Sequence, residues 1–222
     1  NCVGPDACGP YNSSVSGSHG YTILGHSRTN YGRHIGTVAA ASAALAVVIA
    51  PILLSLFSRF GFLEKIPSVV YWPLTAGLFY VVIHATFDRY IWKLKFPAKL
   101  LGLPNISGKW ICEGQTFTLG GKVKYEWNGS VTIHQTWEKI KIYLDTGQSS
   151  SSSRVATICP ENEKGFRLIY SYQNEPKAGE QIGVHIGFCD MVFDQDGLAA
   201  QGEYYNVKGR TTIGRMTWTK EI

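Results

Sequence analysis

Residues 35–58 read IGTVAAASAALAVVIAPILLSLFS and residues 66–87 read IPSVVYWPLTAGLFYVVIHATF, with only RFGFLEK, residues 59–65, between them. Neither run contains Asp, Glu, Lys or Arg. An α-helix rises ~1.5 Å per residue, so about 20 apolar residues cross the ~30 Å hydrocarbon core of a bilayer. Both runs reach that length, and a seven-residue link is too short to hold a domain. The pattern predicts an antiparallel two-helix transmembrane hairpin.

Charge is distributed around that hairpin. Residues 1–104 hold eight basic residues (Arg28, Arg33, Arg59, Lys65, Arg89, Lys93, Lys95 and Lys99) against Asp6, Glu64 and Asp88. Residues 105–222 hold thirteen of each sign, so the whole formal charge of +5 flanks the apolar runs. Six of the eight basic residues lie outside the hairpin and two lie in its loop. Short segments rich in Lys and Arg stay in the cytoplasm, so a multi-pass protein with both termini cytoplasmic is expected. The neutral second half argues against a groove for long nucleic acid, whose phosphates demand a basic surface.

Within the first run Gly36, Ala40 and Ala44 recur at four-residue spacing, which lets helix backbones approach closely inside a membrane. That face either receives the second span of the same chain or associates with another protomer; the sequence leaves both open. Pro51 removes one helical hydrogen bond and predicts a kink. Tyr71, Trp72, Tyr90 and Trp92 are expected near the two water interfaces, and His84 is expected to reach headgroups or water.

From Ser107 onward the period changes to two. Tyr125, Trp127, Val131, Ile133 and Trp137 share one parity, while Lys124, Glu126, Asn128, Ser130, Thr132 and His134 share the other. The alternation continues through Ile140, Ile142 and Leu144, through Phe166, Leu168, Tyr170 and Tyr172, and through Val184, Ile186 and Phe188. Turn signals such as Gly120-Gly121, Asp145-Thr146-Gly147 and the residues from Asp194 to Gly197 separate the runs. About eight strands with no helix between them predict an all-β, eight-stranded up-and-down barrel, in which closure removes exposed edges. The expected organisation is a flexible N-terminal tail over residues 1–34, with a short ordered piece at Tyr21–Leu24. A hairpin and juxtamembrane linker over 35–104 follows, then a barrel over 105–222. The serine run at residues 148–153 reads as a flexible hairpin loop, with a mobile lid at the barrel mouth as the alternative.

No catalytic signature is present: no Gly-x-Ser-x-Gly, no phosphate-binding glycine loop and no HExxH. The five cysteines form no CxxC pair and no metal-ligand spacing with histidine, so neither a metal nor a cofactor is expected. Asp194, Asp196 and Gly197 suit a hairpin turn better than a calcium loop. The chain reads as a binding module rather than an enzyme. Its strands are rich in aromatics, which stack on bases at ~1–3 kcal/mol each, and hold a few arginines that can pair with phosphate. The candidate ligand-binding residues are Trp110, Arg154, Arg167, Tyr170, Tyr172, Tyr204 and Arg215.

The first strand opens with Gly108-Lys109-Trp110 and the last carries Arg215 near Trp218. In this respect the chain resembles lipocalin-like barrels, in which such a Trp closes one end beneath a late-strand Arg. A two-span hairpin followed at once by an eight-stranded minimal barrel, entered through residues 105–110, resembles the STING-like two-transmembrane β-barrel effectors of bacterial CBASS anti-phage defence. That resemblance covers about residues 20–222. It implies an inner-membrane protein whose barrel senses a cyclic dinucleotide, forms homo-oligomers on binding it, and disrupts membrane lipid to kill the infected cell. The alternatives are a membrane-tethered lipocalin-like carrier for an apolar ligand, or a structural protein with a filled barrel. Inward Tyr and Arg, a dry aliphatic cavity or a packed interior distinguish the three.

Overall fold

The computed structural model describes residues 17–23, 28–57, 68–94, 102–118, 120–161, 165–209 and 211–221. The chain divides into two compact units. One holds the residues up to Thr22 with Ile106–Gln135 and Lys139–Ile222; the other holds Ile23–Asn105 and Thr136–Glu138.

Among the described residues the helical unit contains α1 (Arg28–Phe57), α2 (Ser68–Arg89) and a short 3-10 turn at Ile91–Lys93. Helix α1 runs through Pro51 without ending there. Ser42 and Ala46 are its buried residues among those described, one turn apart, and the Ser42 hydroxyl donates back to Val38 O at 2.7 Å. Gly36, Ala40 and Ala44 are exposed, and a Cβ added at Gly36 would meet nothing within 4 Å. Large apolar side chains point outward on both helices: Ile35, Val47, Val48 and Ile52 on α1, and Leu78, Val81 and Val82 on α2. A helix facing water carries polar residues on its outer face, so outward Val and Ile suit hydrocarbon. Taken over the described residues alone, no helix is long and apolar enough to cross a membrane. The loop at residues 59–65, Tyr71 and Trp72 lie outside the described positions or side chains.

Two expectations for this unit are corrected. Trp92 is fully buried rather than anchored at an interface, its Nε1 donating to Asp88 O at 2.7 Å. Trp137 does not continue a barrel strand; it packs against Phe87 and Trp92, and its backbone N–H donates to Asp88 O at 2.9 Å. His84 meets Glu138 Oε1 at 3.1 Å, a protein partner the sequence does not announce, and stays partly exposed. A turn rich in ring surface and backbone donors found partners that local periodicity does not reveal.

Among the described residues the barrel has nine strands rather than eight: β1 (His19–Ile23), β2 (Gly108–Phe117), β3 (Val123–Gln135), β4 (Lys139–Thr146), β5 (Ser149–Glu161), β6 (Gly165–Pro176), β7 (His185–Phe193), β8 (Ala199–Lys208) and β9 (Thr212–Lys220). It is closed in the order β1-β4-β3-β2-β9-β8-β7-β6-β5, with β4 also pairing β5 directly. Strands β2 to β9 form the expected up-and-down series, and the β2–β9 pairing from Trp110↔Lys220 to Phe117↔Ile213 joins its ends. Strand β1 is the extra stave. Direct β4–β5 pairing covers only Tyr143↔Ser152 to Asp145↔Ser150, and beyond it β1 pairs with β4 at His19↔Ile140 and Gly20↔Lys139. His19 Nε2 meets Ser153 Oγ at 2.8 Å and Thr22 Oγ1 donates to Thr157 Oγ1 at 2.8 Å, tying β1 to β5. The short ordered piece expected around Tyr21 is thus strand β1 at His19–Ile23, and helix α1 begins at Arg28, inside the stretch expected to be a flexible tail.

One end of the barrel is packed solid. Trp110, Trp218, Phe193 and Phe166 fill it, with Phe166 and Phe193 stacked at 4.6 Å and Trp110 edge-on to Phe193 at 5.4 Å. Leu168, Met191, Ile158 and Ile133 form the next layer, all buried. Trp110 Nε1 donates to Ile106 O at 3.1 Å, and Lys220 Nζ lies 5.3 Å above its ring. Lys220 thus takes the place that lipocalin-like barrels give to an arginine. At Asp194 the side chain accepts from Leu198 N at 3.0 Å while Gly197 adopts a positive φ of 64°, the geometry of a tight hairpin turn.

Candidate functional site

The other end of the barrel is open and holds a cavity of about 320 Å³. Because side chains alternate along a strand, each wall strand sends every second residue inward. Strand β3 contributes Tyr125 and Trp127, β4 Leu144 and Thr146, and β5 Ser149 and Ser151. Strand β6 gives Tyr170, Tyr172 and Asn174, β7 gives His185, β8 gives Tyr204 and Asn206, and β9 gives Thr212 and Met216.

Three of the rings are seated over glycines directly opposite them in register. Gly114 faces Trp127, Gly187 faces Tyr172 and Gly214 faces Tyr204. A Cβ at these positions would lie 2.2 Å from the Trp127 ring, 2.6 Å from the Tyr172 ring and 2.4 Å from the Tyr204 ring. No side chain other than hydrogen fits beneath them.

The polar tips of the wall are paired with each other. Tyr204 OH shares a hydrogen bond with Thr116 Oγ1 at 2.5 Å and accepts from Trp127 Nε1 at 3.2 Å. Tyr172 OH donates to Asn206 Oδ1 at 2.8 Å, and Asn206 Nδ2 donates to Thr212 Oγ1 at 2.7 Å. Asn174 Nδ2 donates to Ser149 Oγ at 3.0 Å. Burial first, then the neighbouring Cys189 thiol, raises the Tyr170 phenol well above its ordinary pKa, so it stays protonated. Among the described residues no Lys or Arg lines the cavity; Glu126 stands exposed at its rim. The result is a neutral, aromatic, hydrogen-bonding pocket shaped for a flat polar group.

Of the residues singled out from sequence, Tyr170, Tyr172 and Tyr204 come together here. Trp110 lies in the packed end, fully buried. The arginines face away. Phe166, Leu168, Tyr170 and Tyr172 point inward on β6, so Arg167 must point outward, where it meets Asp190 at 3.5 Å. Gly214, Met216 and Trp218 turn inward on β9, leaving Arg215 exposed beside Glu203 at 3.6 Å. Arg154 falls at the β-bulge after Ser153 and bonds to Gln173. The expectation of inward arginines is corrected by strand parity.

The serine run is the second correction. Ser149–Ser153 is not a loop or lid but the first part of β5, in register with β6 from Ser149↔Pro176 to Ser153↔Tyr172. Ser149, Ser151 and Ser153 are buried and Ser150 is exposed, so the run alternates as a strand should. Small polar side chains serve here as partners: Ser149 Oγ accepts from Asn174 Nδ2, and Ser153 Oγ accepts from Ile142 N. Asn174, His185, Asn206 and Thr212 were not anticipated as site residues. The glycine opposite each ring was the signal available for Trp127, Tyr172 and Tyr204.

Among the described residues no group of three or more His, Cys, Asp or Glu is placed to hold a metal. The buried cysteines are poor nucleophiles. Burial pushes the Cys112 thiol up to about 12, and burial raises Cys189 as well. Iodoacetamide at pH 8 is therefore expected to leave Cys112 and Cys189 unmodified in the folded protein and to label both after denaturation, as read by peptide mass spectrometry. Labelling of either in the native state would contradict this picture.

Comparison with known proteins gives a consistent result. Residues 101–220 match the family model of the Cap15 cyclic dinucleotide receptor domain, and residues 31–93 match that of the Cap15 TM helices. A curated relative, CD-NTase-associated protein 15 of Yersinia aleksiciae, is 36% identical over 205 residues, spanning 91% of this chain and 97% of its own length.

Proposed function

Because this chain belongs to the Cap15 family, carrying both its TM helices and its cyclic dinucleotide receptor domain, we propose that the cavity at the barrel mouth is where the cyclic dinucleotide binds. The observation that carries this reading is a neutral pocket walled by Trp127, Tyr170, Tyr172 and Tyr204, with rings held in place by glycine seats and wall hydrogen bonds. Each aromatic–base contact is worth about 1–3 kcal/mol. At about 320 Å³ the cavity lies at the lower end of the ~300–1,000 Å³ that encloses a drug-sized ligand. It suits one nucleobase rather than two bases with their sugars and phosphates. With no cation in the lining among the described residues, the phosphate ring stays at the mouth, in water. A carrier for an apolar ligand is less well supported, since Ser149, Ser151, Asn174 and Asn206 would then be buried against hydrocarbon.

Binding drives self-association in the inner membrane, where the protein lies with both termini and the barrel on the cytoplasmic side, and the clustered hairpins disrupt the bilayer as an anti-phage response. The exposed face of Gly36, Ala40 and Ala44 supports contact between protomers, because the helix of a single chain leaves it uncovered. Such coupling requires the ligand to bind the assembled state more tightly; a switch from 1:99 to 99:1 needs about 10⁴-fold preference.

The test is calorimetry on the full chain in nanodiscs with cyclic di-AMP, cyclic di-GMP and cyclic di-UMP, with oligomer size read in parallel. Heat and a larger assembly with at least one are expected. Silence with the whole panel would remove the reading. Replacing the hairpin by an unrelated single-span anchor is expected to abolish ligand-dependent killing; persistent killing would exclude the hairpin as the working part.

A further inference from the structure

We propose that Asn174 reads the edge of the bound base, its side-chain carbonyl accepting a base N–H. The inference rests on the cavity being the cyclic dinucleotide site. Asn174 is 8% exposed and lines the cavity near its mouth. Its Oδ1 is buried without a hydrogen-bond partner among the described residues, and it is the cavity-lining side chain for which this is so. Tyr172, Tyr204 and Asn206 all have partners in the wall.

The orientation of the amide follows from the hydroxyls beside it: Thr146 Oγ1 gives its hydrogen to Ser149 O, so across their 3.3 Å contact the Ser149 hydroxyl donates to Thr146, and Ser149 Oγ is left to accept from Asn174. One Nδ2 hydrogen goes to Ser149 Oγ at 3.0 Å. Ser149 is itself held by the β4–β5 turn, its backbone N–H donating to Thr146 Oγ1 at 3.1 Å and its carbonyl accepting from the same hydroxyl at 2.9 Å. With Nδ2 committed to that side, Oδ1 is the atom offered to the pocket, and the second Nδ2 hydrogen remains for an acceptor beside it. A buried acceptor left unmet is unfavourable, so the site favours a ligand that brings a donor. The base edges of adenine, guanine, cytosine and uracil each present an N–H next to an acceptor, which is the complement of an amide. Rings stacked on Tyr170 and Tyr172 would hold that edge in the plane of the Asn174 amide, because Tyr172 and Asn174 alternate along one face of β6. Stacking then supplies affinity for any base, and Asn174 rejects flat rings that lack the donor.

The experiment is a coupling measurement on the full chain in nanodiscs. Cyclic di-AMP is compared with its analogue lacking both 6-amino groups, and cyclic di-UMP with its N3-methyl analogue, against wild type, N174L and N174D. The wild type is expected to bind a parent compound at least tenfold more tightly than its donor-free analogue. N174L is expected to lose that preference by weakening the parent alone, with an unchanged or higher melting temperature. N174D keeps an acceptor oxygen and is expected to retain the preference. Equal weakening of parent and analogue by N174L, or no weakening of either, overturns the assignment while leaving the cavity as the ligand site. Loss of preference in N174D, with folding intact, overturns it too. A wild type that binds none of the four compounds overturns the assignment together with the ligand reading on which it rests.

Discussion

Replacing Trp110 by alanine is expected to destabilise the barrel by about 3–5 kcal/mol, a large share of the roughly 5–15 kcal/mol that holds a domain folded. The indole is fully buried and touches Phe193 and Trp218, with ring centroids 5.4 Å and 6.4 Å away. Its Nε1 hydrogen bond to Ile106 O lies where the chain enters the barrel, and its backbone pairs with Lys220 where β2 meets β9. Truncation therefore opens a hole in the packed end, strands the Ile106 carbonyl and loosens the closing seam together. The exposed ion pair between Arg215 and Glu203 is a useful contrast, since such pairs contribute ~0–1 kcal/mol. R215A should melt close to wild type, whereas W110A should fall by more than about 6 °C, at ~2–4 °C per kcal/mol for a chain of this size. Thermal melts of the full chain followed by near-UV circular dichroism decide it, and equal melting of W110A and R215A would contradict the packing described here.

The parts of the molecule legible in sequence are those written in local periodicity. Two charge-free runs announce α1 and α2, and alternation over Tyr125 to Ile133 or Phe166 to Tyr172 announces strands whose inner faces can be named residue by residue. That same parity already turns Arg167 away from the interior, since Phe166 and Leu168 flank it; choosing residues by chemical type overrode a geometric rule that was available. Strand β1 was less visible because two of its residues pair with β4 in register, and its side chains reach Gln135, Ser153 and Thr157, all far along the chain. Residues 149–153 have the composition of a loop, and five identical residues carry no apolar alternation that could mark a strand. In the barrel their hydroxyls bond to neighbouring strands, Ser149 to Asn174 and Ser153 to Ile142 N. Trp137 and Glu138 show the opposite limit: nothing near them in sequence reveals that their partners are Asp88 and His84. For the site itself, the pattern that survives is the pairing of an inward ring with an inward glycine across a hairpin.

That pairing gives the sharpest test of the cavity. Gly187→Ala is expected to weaken cyclic dinucleotide binding about 10- to 100-fold, which is the loss of one base–aromatic contact of ~1–3 kcal/mol. The new Cβ would stand 2.5 Å from Asn206 Oδ1 and 2.6 Å from both Tyr172 Cζ and its hydroxyl, so it lands on the Tyr172–Asn206 hydrogen bond itself. All three contacts are with side-chain ends and none with backbone. Tyr172 can therefore swing away without moving β6, and the stability cost should stay near the low end of the ~1–3 kcal/mol typical of overpacking. Gly202 behaves differently, because a Cβ there would meet Asp190 O at 1.9 Å and must displace a strand. G202A should unfold the barrel, and G187A should leave it folded with a ring out of place. Gly120→Ala in the β2–β3 turn, where the nearest atom is 3.9 Å away, provides the neutral control. Calorimetry against the tightest compound of the panel reads the result. Wild-type affinity in G187A, with Tyr172 shown to be displaced by crystallography, would mean that the ring does not contact the base. A fall in affinity with a melting temperature lowered by only a few degrees ties the tyrosine, through one missing side chain on the opposite strand, to recognition.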